Sequence, residues 1–476
     1  MTLVALLMAI AVTVWSVVLL RYGSIMAVSL VLLLAGTLFG PAFLHFDGPF
    51  QVSSERVLFC ALIPFAIVHW RLGWTDPKPL SRGDWLLVAF TAFLAISACQ
   101  GGATSESGST IARWLFYVAM PTTMYFVLRG SRIQKSDLTW LCTFMLGLGC
   151  YLACMAGLEA LKVTGLVFPR YIVDPEIWEF YGRARGPLLN PSANGILMSA
   201  ALGVAISRFF TSQLRAGRIG YAALALLNLA GCYFTLTRCV WLGAAVIASG
   251  LVFIRLPRTV QVWVVATTII FAVLGGTSVS KSLMKLKRDE NLSAEASLQS
   301  IQLRPLLAVM AWEMFKDKPL RGHGFGHYLD HNSAYVHRRQ WNMPLETASN
   351  YIQHNIILSM LVDTGLIGCG MYVSLLLWWS VLAGKLRRRL GDDPVMVNTS
   401  ELFIAILVAY GINGMFQDAT IFPMIHMFLM SIAGICTGVW IRGGYAVSDD
   451  RDHHGARRQT TSQPRSRESV PNLGWK

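Results

Sequence analysis

Charge is what this chain has least of. Only 14% of its 476 residues are Asp, Glu, Lys or Arg, against 54% hydrophobic, and the mean hydropathy is +0.51. A water-soluble domain carries about 25% charged residues, so a soluble globular fold is excluded and a polytopic membrane protein is expected. Acids are scarcer than bases, 26 against 40, for a formal charge of +14. The Lys and Arg stand in short clusters between apolar runs, the pattern that orients membrane helices, which sets nucleic acid aside as a partner. The nine cysteines contain no C-x-x-C pair and no zinc-ligand spacing. They lie almost entirely within apolar runs and read as small buried hydrophobes, Cys150 and Cys154 included. The chain also lacks an internal repeat and a separate soluble catalytic domain.

What is present is a series of apolar windows, each able to cross about 30 Å of hydrocarbon. They lie near 2–20, 25–44, 57–70, 85–99, 113–128, 138–160, 192–208, 219–236, 240–255, 259–276, 355–383, 400–416 and 421–441. The expected fold is therefore all-α, with about twelve to thirteen transmembrane helices. The first window has no basic n-region and no A-x-A site, and Arg21 follows it directly, so a retained span with its N-terminus outside is expected.

Basic clusters occupy every second loop: Arg21; Arg71, Lys78 and Arg82; Arg129, Arg132 and Lys135; Arg208, Arg215 and Arg218; Arg255 and Arg258; Lys385 and Arg387 to Arg389. Such loops are cytoplasmic. The intervening ones, 45–56, 100–112, 161–191, 237–239, 277–354 and 417–420, then face outward. The chain divides accordingly into N-terminal helices (1–180), helices bearing outer-face arginines (181–276), a large periplasmic loop with amphipathic helix (277–354), C-terminal helices (355–441) and a polar tail (442–476). From Ser448 that tail is too polar to bury a core.

Chemistry in a membrane protein concentrates where polar residues gather against a membrane face. The longest polar interval, within 304–368, holds five of the ten histidines. Three constellations fall on the outer side. In R-A-R-G-P-L-L-N-P-S-A-N-G, Arg183 and Arg185 precede a turn at Asn190 and Pro191; they are either snorkelling anchors or ligands. In T-L-T-R-C-V-W-L-G, Arg238 sits in a very short turn, as a helix-end anchor or a functional cation, since an arginine near the bilayer core costs at least about 2.5 kcal/mol. In R-P-L-L-A-V-M-A-W-E-M-F-K-D-K-P-L-R-G-H-G-F-G, Arg304 heads an amphipathic run with Leu307, Met310, Ala311, Met314 and Phe315 at helical spacing, stopped by Pro319 and laid along the membrane surface. R-G-H-G-F-G then reads as a flexible turn, and no strand precedes it to make a phosphate loop. His323, His327 and His331 are spaced four apart, but the interleaved glycines argue against a helix that would align them on a metal. His354 opens the next span beside Asn355, either as a base that is neutral near pH 7 or as a hydrogen-bonded interfacial residue.

R-P-L-L-A-V-M-A-W-E-M-F-K-D-K-P-L-R-G-H-G-F-G, followed by H-N-I-I-L-S-M-L-V-D-T-G-L-I-G, resembles the O-antigen ligase and O-antigen polymerase superfamily of bacterial envelope glycosyltransferases. R-A-R-G-P-L-L-N-P looks like its R-x-x-G-x-x-x-N-P motif, and L-T-R-C-V-W-L its S-R-x-x-W-L element, over roughly residues 180–440. Thr237, Ser192 and Asp363 depart from the commoner Ser, Asn and Glu. The resemblance implies a GT-C-like fold in the bacterial cytoplasmic membrane. It also implies a metal-independent, cofactor-free, inverting transfer of a glycan from an undecaprenyl-pyrophosphate donor to a glycan, lipid or protein acceptor. His354 would be the base, Arg238 and Arg304 the catalytic pyrophosphate ligands with Arg183 assisting, and Asn190, Asn355 and Asp363 supporting groups. Membrane lipids are the remaining partners. The alternatives are protein O-oligosaccharyl transfer, with the same chemistry, and secondary transport of an envelope precursor, for which Asn413, Gln417 and Asp418 are the best residues. The lack of a repeat argues against transport.

Overall fold

A computed structural model of the protein describes residues 24–40, 53–106, 108–177, 179–267, 294–337, 343–389 and 391–446, with the side chains of 294–302 left out. The first apolar window, most of the 45–56 loop, the segment 277–293 and the tail from 447 lie outside these residues. The described chain is about 75% helical, as its hydropathy requires. Every apolar window within it becomes a helix: α1 (Ile25–Leu38), α2 (Ser54–Arg71), α3 (Arg82–Cys99), α4 (Thr110–Gly130, with a π-helical stretch at Leu115–Ala119), α5 (Lys135–Ala160), α6 (Pro191–Thr211), α7 (Arg215–Phe234) and α8 (Arg238–Phe253). Residues 258–267 begin a further helix. After the outer segment with α9 (Ala294–Asp317) and the short α10 (Tyr328–Asn332) come α11 (Ile356–Arg389), α12 (Pro394–Gly414) and α13 (Pro423–Arg442). Seven of these, α3 to α6 and α11 to α13, are long and apolar enough to cross a membrane, while α1 and α8 are apolar but shorter. A two-stranded hairpin pairs Thr104–Ser105 with Gly108–Ser109.

Local sequence sets the helix ends. Ser81 and Asp84 form a capping box on α3. Asn190 and Asp393 accept backbone N–H groups at the starts of α6 and α12, each followed by proline at the first helical position. Gly443, at φ 76°, closes α13. Between helices, small residues allow close approach. α6 is buried along most of its length because its A-A-L-G-V-A stretch lets Ala201 meet Gly149 of α5 and Gly203 meet Ala405 of α12.

The two ends of the bundle differ in chemistry. The loops whose basic clusters mark them as one side meet at one end. There Arg129 pairs with fully buried Asp84 at 2.8 Å, Arg255 and Arg387 bracket Glu401 at 2.6 and 2.9 Å, Lys135 lies 3.3 Å from Asp393, and Arg442 lies 3.2 Å from Asp76. Many of these cations therefore hold helices together besides marking a side. At the opposite end gather the starts of α6, α8, α11 and α13, the 159–186 loop and the α9–α10 segment.

That segment has its own small core. Leu307, Met310, Ala311 and Met314, the apolar stripe of the amphipathic run, pack with Tyr328, Tyr335, Leu345 and Val362. Two expectations change here. Arg304 does not head its helix, which already runs from Ala294. R-G-H-G-F-G is not a flexible turn but a strip docked on α11. His323 and Gly324 donate to the Val362 and Asp363 carbonyls at 2.8 and 2.9 Å, and Leu366 and Ile367 donate back to Pro319 and Leu320 at 2.8 and 3.3 Å. The physical reason is glycine at two facing positions. A Cβ on Gly322 would lie 2.5 Å from the Asp363 carbonyl carbon, and Gly365 breaks α11 with φ 65° and ψ −163° to present those backbone groups.

Candidate functional site

His354 lies in the bend just before α11, half-buried. Burial lowers its pKa below the ordinary histidine value, the positive charge of Arg304 lowers it further, and Asp418 works the other way. Charges from two elements far apart in sequence are thus within electrostatic reach of one imidazole. Arg304 is exposed, near the middle of α9, with its guanidinium carbon 5.8 Å from the centre of the Phe416 ring. It also acts electrostatically on the Cys239 thiol, the residue after Arg238. Arg238 is the first residue of α8, half-buried behind a turn in which Leu236 takes φ 48°. Arg304 is therefore within electrostatic reach of both the base candidate and the α8 start.

Arg183 is buried and lies with its guanidinium carbon 5.7 Å from the Phe180 ring. The next residue, Ala184, donates to Phe234 O at 3.4 Å, which sets this loop against the end of α7 and beside the turn leading to Arg238. Its neighbour Arg185 has a different place. Almost wholly buried, it donates to the carbonyls of Ile172, Asp174, Ile177 and Glu179, while Glu159 accepts its backbone N–H and that of Gly186. Arg185 is the knot of the 170–186 loop, so of the two arginines in the motif it is the one committed to holding the backbone.

The asparagines act on backbone. Asn190 Oδ1 accepts from Ser192 and Ala193 at 2.9 and 3.1 Å. Asn355 Oδ1 accepts from Ile357 and Leu358 at 2.9 and 3.0 Å, and its amide donates to Met415 O at 3.0 Å. It thereby fixes the bend that carries His354 against the end of α12. Asp363 is buried in α11, where one carboxylate oxygen accepts from Gly326 N at 3.0 Å and the other has no hydrogen-bond partner among the described residues.

Sequence reading missed two groups in this neighbourhood. Asp418, weighed only for transport, is buried and accepts from Ser359 at 3.2 Å and from the Thr420 hydroxyl at 2.6 Å. Arg113 of α4 lies 4.0 Å from Asp418, donates to Thr420 at 3.2 Å, and sits 5.5 Å from the Phe325 ring of the docked strip. Asp418 had one available signal: it is the only acid between Glu401 and Asp449. Arg113 had none, because only folding brings α4 to the α12–α13 connection.

The three spaced histidines do meet, though not on one helix. The His323 and His331 rings are 5.3 Å apart and those of His327 and His331 6.5 Å. Their polar atoms are turned to other partners: His323 Nε2 to Met314 O at 2.9 Å and His327 Nδ1 to Asp330 at 2.6 Å. Burial, then the nearby Lys318, lowers the pKa of both His323 and His331. Among the described residues no group of three metal-ligating side chains is placed to hold a metal ion.

A multi-pass helical membrane protein, with Arg238, Arg304, His354 and Asp418 near the end of the bundle opposite its basic loops, is the class that this fold and site define. Residues 223–373 match a protein-family model described as O-antigen ligase, which supports the O-antigen ligase and polymerase superfamily for this chain. The match spans Arg238, Arg304, His354 and Asp363, and leaves Arg183, Asn190 and Asp418 outside it. No curated protein matches the chain. Family and fold together point to a glycan-transferring ligase or polymerase of polysaccharide biosynthesis, with lipid-linked glycan and acceptor partners.

Proposed function

We propose that the protein transfers a glycan from an undecaprenyl-pyrophosphate donor to an acceptor hydroxyl, at the outer face of the bacterial cytoplasmic membrane. The acceptor oxygen attacks the sugar C1 while His354 takes its proton. The C1–O bond to phosphate breaks, and the bonding pair leaves with the pyrophosphate. Attack on the side opposite the leaving group inverts C1. A pyrophosphate needs no general acid when cations meet its growing charge, which is the role of Arg304 and Arg238, with Arg183 assisting. Neither step calls for a metal.

The observation that carries this reading is the position of Arg304, whose charge acts both on His354 and on the α8 start beside Arg238. A base with a lowered pKa stays neutral at pH 7 and can accept the proton. The same field that depresses it attracts the donor's phosphates. Asn355 and Asn190 shape the two helix starts, and Asp363 the joint beneath them.

The test is glycan transfer in membranes given labelled lipid-linked donor. His354→Ala, Arg238→Ala and Arg304→Ala should each abolish transfer while leaving the protein in the membrane at its normal level. Full activity in all three overturns the assignment. The product made with glycan, lipid or protein acceptors supplied in turn identifies the acceptor class.

A further inference from the structure

A separate polar cavity lies at the other end of the bundle. It encloses about 270 Å³ between α5, α6, α7 and α12, and its polar lining is Thr139, Arg208, Thr211, Ser212, Tyr221 and Asn398. No acid lines it. The two nearest acids by sequence are engaged elsewhere: Asp137 accepts from Gln134 N, and Asp393 is held by Lys135, Tyr445 and Val395 N.

Arg208 is built into this cavity. It stands in the last turn of α6, and one Nη donates to Thr139 O and to the Thr143 hydroxyl, both at 3.0 Å. Its guanidinium carbon lies 5.9 Å from the centre of the Tyr221 ring. The guanidinium also interacts with the Cys142 thiol and donates to no further protein oxygen among the described residues, while α5 and Tyr221 hold it in place. Arg218 adds a second cation at the rim by donating to Ser212 O at 3.0 Å. The hydroxyls beside them are engaged within the protein: Thr211 donates to Ser207 O and Asn398 Oδ1, both at 3.1 Å, and Ser212 to Leu214 O at 3.4 Å.

Depth matters as much as charge. α6 has 21 residues, about 30 Å at 1.5 Å per residue, which spans the hydrocarbon and puts its last turn at the headgroup layer. Thr139, Tyr221 and Asn398 lie near the ends of their own helices on the same side. An oriented guanidinium with donors not spent on protein oxygens, a second cation at the rim and no lining acid among the described residues, open at headgroup depth, matches a tetrahedral oxyanion carried by a membrane lipid.

We propose that this cavity binds the phosphate group of an anionic phospholipid, with Arg208 as its principal ligand. The site is distinct from the one that carries His354, at the far end of α6, and does not depend on the reaction proposed there.

The experiment uses the full chain purified in detergent and stripped of lipid, followed by native mass spectrometry after titration with phosphatidylglycerol, with phosphatidylcholine and with inorganic phosphate. The wild type should retain phosphatidylglycerol over phosphatidylcholine. Arg208→Gln should weaken retention roughly 10- to 100-fold, the range for losing a charge-assisted hydrogen bond. Ser212→Asp, at the half-buried C-cap of α6, should weaken it comparably by putting a carboxylate in the cavity without disturbing a helix interior. Arg215→Gln, an exposed arginine that does not line the cavity, should leave it within about twofold. Wild-type retention in both Arg208→Gln and Ser212→Asp overturns the proposal. So does an equal preference for phosphatidylcholine. Binding of inorganic phosphate that is lost in Arg208→Gln, with no lipid retained, overturns the lipid assignment.

Discussion

Replacing Gly365 by alanine probes the joint between the docked glycine-rich strip and α11. At φ 65° and ψ −163° the residue occupies a region open essentially to glycine, where other residues pay on the order of 1–3 kcal/mol. A Cβ there would also overlap the Leu320 carbonyl and come within 2.6 Å of Arg321 N, so the strip must lift. Lifting weakens the Leu366 to Pro319 and Ile367 to Leu320 hydrogen bonds, each contributing about 0.5–1.5 kcal/mol net. The sum is roughly 2–6 kcal/mol of local destabilisation. Gly370→Ala is the internal control. It lies further along the same helix with open space around its Cβ position, so alanine there should be neutral or stabilising by about 0.5–1 kcal/mol. Thermal unfolding of the purified proteins, read by tryptophan fluorescence, and tryptic cleavage after the exposed Arg321 report the joint directly. Gly365→Ala should unfold at a lower temperature and be nicked faster, and glycan transfer should fall with it because the joint lies within the helix that His354 precedes. If Gly365→Ala and Gly370→Ala melt and nick alike, the docking argument is refuted.

Three further outcomes follow from the site. With His354 as base, kcat/KM should fall as pH drops through its lowered pKa; Arg304→Gln should move that acidic limb to higher pH and Asp418→Asn to lower pH, since the first removes a charge that depresses the pKa and the second one that raises it. The residual transfer on which these limbs are read is measured with labelled donor. Arg185→Lys should behave as a folding defect, with lowered expression and thermal stability and an unchanged pH profile in what folds, because one ammonium cannot meet four buried carbonyls. Dialysis against EDTA should leave the transfer rate unchanged; loss of activity restored by a divalent cation would contradict the metal-independent step.

The sequence by itself determined the membrane class, the helix windows and the two chemically distinct ends, because these follow from local quantities: apolar length, charge in loops, and turn residues such as Asn190 and Pro191. It also marked Arg304 and His354, which stand out as polar residues at the edges of apolar runs. Tertiary structure decided which polar residues share a field. Arg183 and Arg185 look alike in the chain, yet Arg185 is spent on the carbonyls of its own loop, a pairing between residues up to thirteen apart that no periodicity encodes. Asp418 and Arg113 join the neighbourhood of His354 only when α4, α11 and the α12–α13 connection pack together. The glycines around His323 read as flexibility in sequence. In the fold they are the absence of side chains that lets two backbones pair, and that absence has meaning only once Gly322 is known to face Asp363.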